Sequence, residues 1–191
     1  TNVDVIVDLR DPKDPIAKRV VPLVYANPIV VPGRKVGYIP SYDKTLERAL
    51  SSLGVDGKEL TVDDIAKSDL SVYHTIILVN RPYEAHSQLV GVNDRLMKFV
   101  EDGGTLLVFY SKTNEWNPNP SRKRPQLAPY PIIIDDDRVT MEDAPVTFLQ
   151  PRHPLLHFPN RITQADFADW IQERGLYFPR EWDPRYTAVL A

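Results

Sequence analysis

Ser111 and Lys112 hold the clearest chemical possibility in this chain. They follow Gly103-Gly104 and the apolar run Thr105-Leu106-Leu107-Val108-Phe109-Tyr110, which reads as a helix stop and then a fully buried β-strand. In an open α/β sheet, ligands bind and nucleophiles sit at the carboxyl ends of the strands. A serine beside a lysine could serve as nucleophile and base. Adjacent residues on a strand point to opposite faces, so these two meet only if the chain turns sharply. No histidine has a visible place in a triad with them. The chain has no cysteine, which excludes disulfides, thiolate metal sites and a cysteine nucleophile. No residue is therefore assigned a catalytic role, and the strand end reads as a place that holds something.

Two other strand ends would join it. If the first and third strands lie side by side, the tips Ser41-Tyr42-Asp43 and Asn80-Arg81-Pro82-Tyr83-Glu84 meet Tyr110, Ser111, Lys112, Asn114 and Trp116 in one polar, aromatic rim. The candidate ligand-binding residues are Tyr42, Asp43, Asn80, Arg81, Tyr83, Glu84, Tyr110, Ser111, Lys112 and Trp116. Aromatic rings can stack on the apolar faces of a sugar while charged groups take its hydroxyls. The plainer alternative is a rim of loop residues with Arg81 paired to Glu84. His153 and His157 have the i, i+4 spacing of helical metal ligands, but Pro154 and Pro159 favour a turn there. Asp135-Asp136-Asp137 could hold a hard cation, yet it lacks spaced ligands and reads as a solvated turn. No metal site is expected.

The elements that would position this rim follow a β-α-β-α-β-α-β rhythm. Val36 to Ile39 forms a short strand, and Leu46, Ala49, Leu50 and Leu53 recur at helical spacing between Asp43, an N-cap, and Gly54. Glu59-Leu60 is a short strand, and Thr61-Val62-Asp63-Asp64 resembles a capping box opening a helix through Lys67. Thr75 to Val79 is a strand covered on both faces, and Leu89, Val92, Leu96, Phe99 and Val100 stripe a longer helix that Gly103 stops. Parallel strands with helical crossovers give a doubly wound, three-layer, mostly parallel α/β sheet. Residues 111–131 form a proline-rich loop that leaves the sheet at its ligand end, a candidate lid. Beyond it, Ile132 to Ile134, Val146 to Leu149 and Tyr186 to Leu190 read as strands, and Thr163 caps a helix carrying Phe167, Trp170 and Ile171. Residues 1–34 hold five prolines and read as an extended linker or arm; residues 35–191 form the α/β domain.

The chain has 191 residues, 42% hydrophobic and 26% charged, with a net charge of −3. That suits one domain able to bury its own core. The interspersed charge gives no footprint for nucleic acid; Arg122-Lys123-Arg124 reads as a solvated loop. No apolar run approaches the roughly 18 residues of a membrane span. The first residues, Thr-Asn-Val-Asp, lack a methionine, so the chain reads as a piece of something longer.

From Val36 onward the sequence resembles the glutamine-amidotransferase-like domain at the C-terminal end of bacterial PIG-L (LmbE-type) deacetylases. The resemblance spans roughly residues 33–191 and rests on Val36 to Asp43, Gly103 to Leu106, Asp143 to Val146, His153 to Leu156, Trp170 to Pro179 and Glu181 to Tyr186. It implies a class I glutamine-amidotransferase-like (flavodoxin-like) fold, kin to ThuA-like domains, whose final strands would lie some tens of residues past Ala191. It implies a deacetylase domain on the same polypeptide as partner, acting on amino-sugar derivatives, with zinc bound only by that absent domain. The family's His-Pro-Asp-Asp zinc motif has no counterpart here. The Gly-x-Cys-x-Gly elbow of true amidotransferases is replaced by Tyr110-Ser111-Lys112-Thr113. The leading expectation is thus a non-catalytic accessory domain, with a possible carbohydrate ligand and no cofactor of its own. A ThuA-like sugar-modifying or hydrolytic enzyme and an oligomerisation module are the alternatives. The compartment is left open.

Overall fold

The computed structural model describes residues 2–11, 14–24, 27–168 and 175–191. Strands β1 (Asn2–Asp11) and β2 (Asp14–Val24) pair antiparallel, from Asn2 opposite Val24 to Asp11 opposite Asp14, with an irregularity between Leu9 and Arg10. The extended course expected of residues 1–34 is thus partly a paired ribbon. Pro15 and Pro22 fit it because each strand of a two-stranded ribbon has one edge that needs no donor.

The α/β unit runs β3 (Val36–Ile39), α1 (Thr45–Ser52), β4 (Gly57–Glu59), α2 (Val62–Lys67), β5 (Thr75–Leu78), α3 (Pro82–Ala85), α4 (Asn93–Glu101) and β6 (Thr105–Val108). The four strands are all parallel, in the order β4-β3-β5-β6. This parallel α/β arrangement is compatible with a flavodoxin-like fold. The first and third strands are adjacent, as expected, with Val36 opposite Thr75 and Ile39 opposite Leu78. Local chemistry sets the helix ends. Thr61 and Asp64 cap α2 reciprocally, and Gly54 and Gly103 take φ of 67° and 96° where α1 and α4 stop. Asp43 stands one residue before the N-cap of α1 and accepts from the Thr45 amide at 2.8 Å.

Alternate strand residues feed two cores. Val36, Tyr38 and Ile77 pack with Leu50 of α1 on one face. Ile39, Ile76 and Leu78 pack with Ile65 of α2 and Leu96 and Phe99 of α4 on the other. Each fully buried aliphatic side chain contributes about 1.5–3 kcal/mol, so the second, larger cluster dominates the stability. The striped helix expected up to Val100 divides into a 3-10 segment, Ser87–Val92, and α4.

Strand β6 corrects an expectation. Its alternation is exposed and half-buried, with Leu107 44% and Phe109 36% accessible. It is the last strand of the sheet, and its α1-side face lies beyond the reach of α1. The apolar run looked the same as that of β5, because sequence records side-chain type and not what covers it.

The loop after β6 holds α5 (Thr113–Trp116) and a 3-10 turn, Pro120–Arg122. Leu127, 2% exposed, plugs the larger core, so this segment is packed down and is not a free lid. Strands β7 (Ile132–Ile134) and β8 (Pro179–Trp182) pair antiparallel. The two further strands expected at Val146–Leu149 and Tyr186–Leu190 meet in one bridge, Phe148 to Leu190. Thr163 opens a 3-10 turn, Gln164–Phe167; Trp170 and Ile171 lie outside the described residues.

A Cβ at Gly104 would sit 2.3 Å from the buried Phe99 ring, whereas one at Gly91 meets nothing within 4 Å. Gly104→Ala is expected to lower unfolding free energy by about 1–3 kcal/mol. Gly91→Ala should leave it unchanged or raise it by about 0.5 kcal/mol. Urea denaturation of the two variants checks the contrast.

Candidate functional site

Three strand exits build the site. After β3, Ser41 donates its hydroxyl to the Asn80 carbonyl, tying the first exit to the third. After β5, Arg81 adopts the left-handed conformation, φ 57° and ψ 49°, and its amide donates to the Tyr110 carbonyl at 2.6 Å. After β6, the Lys112 amide donates at 2.7 Å to Glu115 Oε1, turning the chain into α5. The hydrogen bonds thus link all three tips directly.

On this frame Arg81 is the hub. Its guanidinium binds Glu84 through two hydrogen bonds and lies over the Tyr42 ring, 4.6 Å from the centroid. Lys112 Nζ reaches the same Glu84 carboxylate at 3.3 Å. Arg81 above all, then Lys112, holds the Glu84 carboxyl below its ordinary range. Tyr110 stands beside this group, its ring stacked on Tyr177 with centroids 5.9 Å apart. Tyr42, Arg81, Glu84, Tyr110 and Lys112 are therefore brought together. The expected Arg81–Glu84 pair is present, and it sits inside a larger network.

The other expected rim residues stay out of this side-chain network. Tyr83 is buried in the larger core and donates its phenol to Asn93 Oδ1 at 2.7 Å. Burial pushes that phenol far above its ordinary range. Trp116 packs edge-on against Tyr83 and donates its ring N–H to the Ile132 carbonyl at 3.2 Å. Asp43 is exposed and serves the start of α1, and the Asn80 side chain is exposed next to Arg81. Ser111 turns inward: it is 7% exposed, and its hydroxyl has no hydrogen-bond partner in the protein. No base addresses it, and Lys112 is engaged with Glu84 instead.

Glu115 escaped the sequence reading. It is 3% exposed, and one carboxylate oxygen has no hydrogen-bond partner. Burial raises its pKa, against the pull of backbone donors at Lys112 and Glu84. The only signal was its place three residues after Lys112, and lysine does not advertise a helix start.

Among the described residues, no group of three acidic or histidine side chains is placed to hold a metal ion. His153 accepts from the Leu155 amide and His157 lies 2.8 Å from the Pro151 carbonyl, the turn geometry expected of them. Asp135 and Asp137 both pair with Arg180. No described helix is long and apolar enough to cross a membrane.

The two glutamates should titrate in opposite senses. Glu115, its folded pKa raised, destabilises the fold increasingly as pH climbs above about 4.3, the unfolded value. Glu84, its folded pKa lowered, contributes stability at neutral pH that is lost on acidification below that value. Glu115→Gln keeps an acceptor for the Lys112 amide, so its melting temperature should match wild type at pH 4 and exceed it at pH 8. Glu84→Gln should lie below wild type at pH 8 and converge with it at pH 3. Thermal melts across pH 3–8 measure both. No protein-family model matches the chain, and neither does any curated protein or solved structure.

Proposed function

We propose that this chain is a non-catalytic accessory domain of the glutamine-amidotransferase-like class, working beside a zinc-dependent N-deacetylase of the PIG-L (LmbE) type. Its role is to bind or position an amino-sugar derivative at the rim over the β3 and β5 exits. The carrying observation is the Arg81–Glu84–Lys112 network beside the exposed ring of Tyr42. Glu84 pairs with both Arg81 and Lys112, which leaves one net positive charge and fixes the geometry before any ligand arrives. A neutral polyhydroxyl ring can stack on tyrosine and share the outer N–H groups without breaking an ion pair. The buried Ser111 hydroxyl, with no base on it, supports binding over turnover.

Titration of the chain with N-acetylglucosamine, followed by amide chemical shifts, tests this reading. Shifts should centre on Tyr42, Arg81, Tyr110 and Lys112. Tyr42→Ala should weaken binding by about two- to tenfold, the worth of a ring contact. No acetate should be released. Release of acetate by the chain alone would make it an enzyme, and an absence of rim shifts would remove the ligand.

One observation favours self-association as a second reading: Leu107 and Phe109 are neighbouring apolar side chains exposed on one face of the edge strand. On that reading, sedimentation equilibrium would give a mass above 21.8 kDa, falling to the monomer in Leu107→Asp.

A further inference from the structure

The crossover pattern marks the ligand end of the sheet. Strand β3 leaves toward α1, which packs on one face, while β5 leaves toward α3 and α4, which pack on the other. The two strands are nevertheless neighbours. Adjacent parallel strands whose exits part in this way open a crevice beyond their carboxyl ends, where ligands of such sheets bind. Tyr42 follows β3 on one side of that crevice, and Asn80 and Arg81 follow β5 on the other. The Arg81 guanidinium crosses to the Tyr42 ring, and Lys112 joins from the β6 exit through Glu84.

The donors of this corner are only half used. Glu84 occupies the Nε–Nη2 edge of the Arg81 guanidinium. Among the described residues nothing bonds to Nη1, so the Nη1–Nη2 edge keeps a second pair of parallel N–H groups. Lys112 Nζ spends one of its three donors on Glu84, at 3.3 Å. The Arg81 and Lys112 side chains are 30% and 33% exposed, so both reach solvent. Two cations share one carboxylate there. The nearby Asp43 is answered by the Thr45 amide and Arg48. Glu115, the other carboxyl acting on Arg81, is 3% exposed and bonded to the Lys112 amide, and burial disfavours its charged form. We infer that the sugar derivative held at this rim carries one carboxylate, received by the open edge of Arg81 and by Lys112 while the sugar ring lies against the exposed part of Tyr42. An arginine fork takes a carboxylate through two parallel, charge-assisted hydrogen bonds. A phosphate monoester, at about −1.5 to −2, brings more charge than the one positive charge can balance. A neutral sugar leaves that charge unanswered. The inference rests on the carbohydrate reading of the rim and names the class of sugar within it.

Ligands sharing one sugar make the test: N-acetylglucosamine, its lactyl ether N-acetylmuramic acid, the methyl ester of that acid, and N-acetylglucosamine 6-phosphate. Amide chemical shifts of the 191-residue chain at pH 7 give each affinity. N-acetylmuramic acid should bind about fivefold tighter than N-acetylglucosamine, the worth of a well-formed exposed charge pair. It should also bind tighter than the phosphate, and its methyl ester should match the neutral sugar. The ratio of acid to neutral sugar should fall toward one in about 0.5 M sodium chloride. It should fall likewise in Lys112→Met and persist in Lys112→Arg. Equal affinity for the acid and its ester overturns the inference and leaves the carbohydrate reading standing. Tighter binding of the phosphate overturns the carboxylate assignment. Lactate binding as tightly as N-acetylmuramic acid, or no rim shifts with any of these sugars, removes the carbohydrate reading and the inference with it. If Lys112→Met does not fold, the contrast between acid and ester decides alone.

Discussion

The hydrogen bond from the Arg81 amide to the Tyr110 carbonyl is the constraint on which the candidate site depends. It continues the contact between β5 and β6 past the last ladder pair, Leu78 with Val108, and so fixes how both chains leave the sheet. Arg81 reaches that position only in the left-handed conformation, which costs a non-glycine residue about 1–2 kcal/mol. The bond and the ion pair with Glu84 offset that cost. The same turn starts α3 at Pro82, where a missing N–H is no loss. Glu84 then returns one turn later to face the guanidinium. Strain at one residue thus places a cation, its counter-ion and a ring contact within a single loop, the usual setting for stored backbone strain.

From that corner the electrostatics divide into two zones. Outside, Arg81 and Lys112 share Glu84, all three about one-third exposed, and water screens what they do not neutralise. Inside, Glu115 is buried under the same corner with one oxygen unpartnered. Its carboxyl lies close enough to feel Arg81 as an attraction and Glu84 as a repulsion. Burial outweighs both and raises its pKa, whereas the rim groups stay in contact with water.

Much of this was legible in the residues, and the losses have physical causes. The four parallel strands, the adjacency of the first and third, and the caps at Thr61, Gly54 and Gly103 came from patterns whose local physics is sufficient. Burial did not. Leu107 and Phe109 are as apolar as Ile77, but only Ile77 has Leu50 over it. Tyr83 read as a rim residue because tyrosine after an Arg-Pro corner can point either way; the partner that turned it inward, Asn93, lies ten residues on. Strand β8 begins at Pro179, which argues against a strand unless the residue is first or at an edge, as it is here. Glu115 carried no sign of burial, because a carboxylate is expected outside.

The cleft of about 490 Å³ between β6 with α4 on one side and the loop with β7 on the other has walls held by polar bonds as well as by packing around Leu127. Asn93 holds the Leu127 carbonyl at 3.0 Å, and Trp116 holds that of Ile132. Asn117 clamps Ile134 through both its N–H and its carbonyl, and Tyr186 does the same for Tyr130. These bonds anchor the loop to α4 and to Tyr186, and β7 to α5 and the residue after it. Breaking any of them would leave polar groups partly or fully removed from water without a partner. A cavity maintained in this way is set in advance of whatever enters it, which lowers the ordering cost of binding.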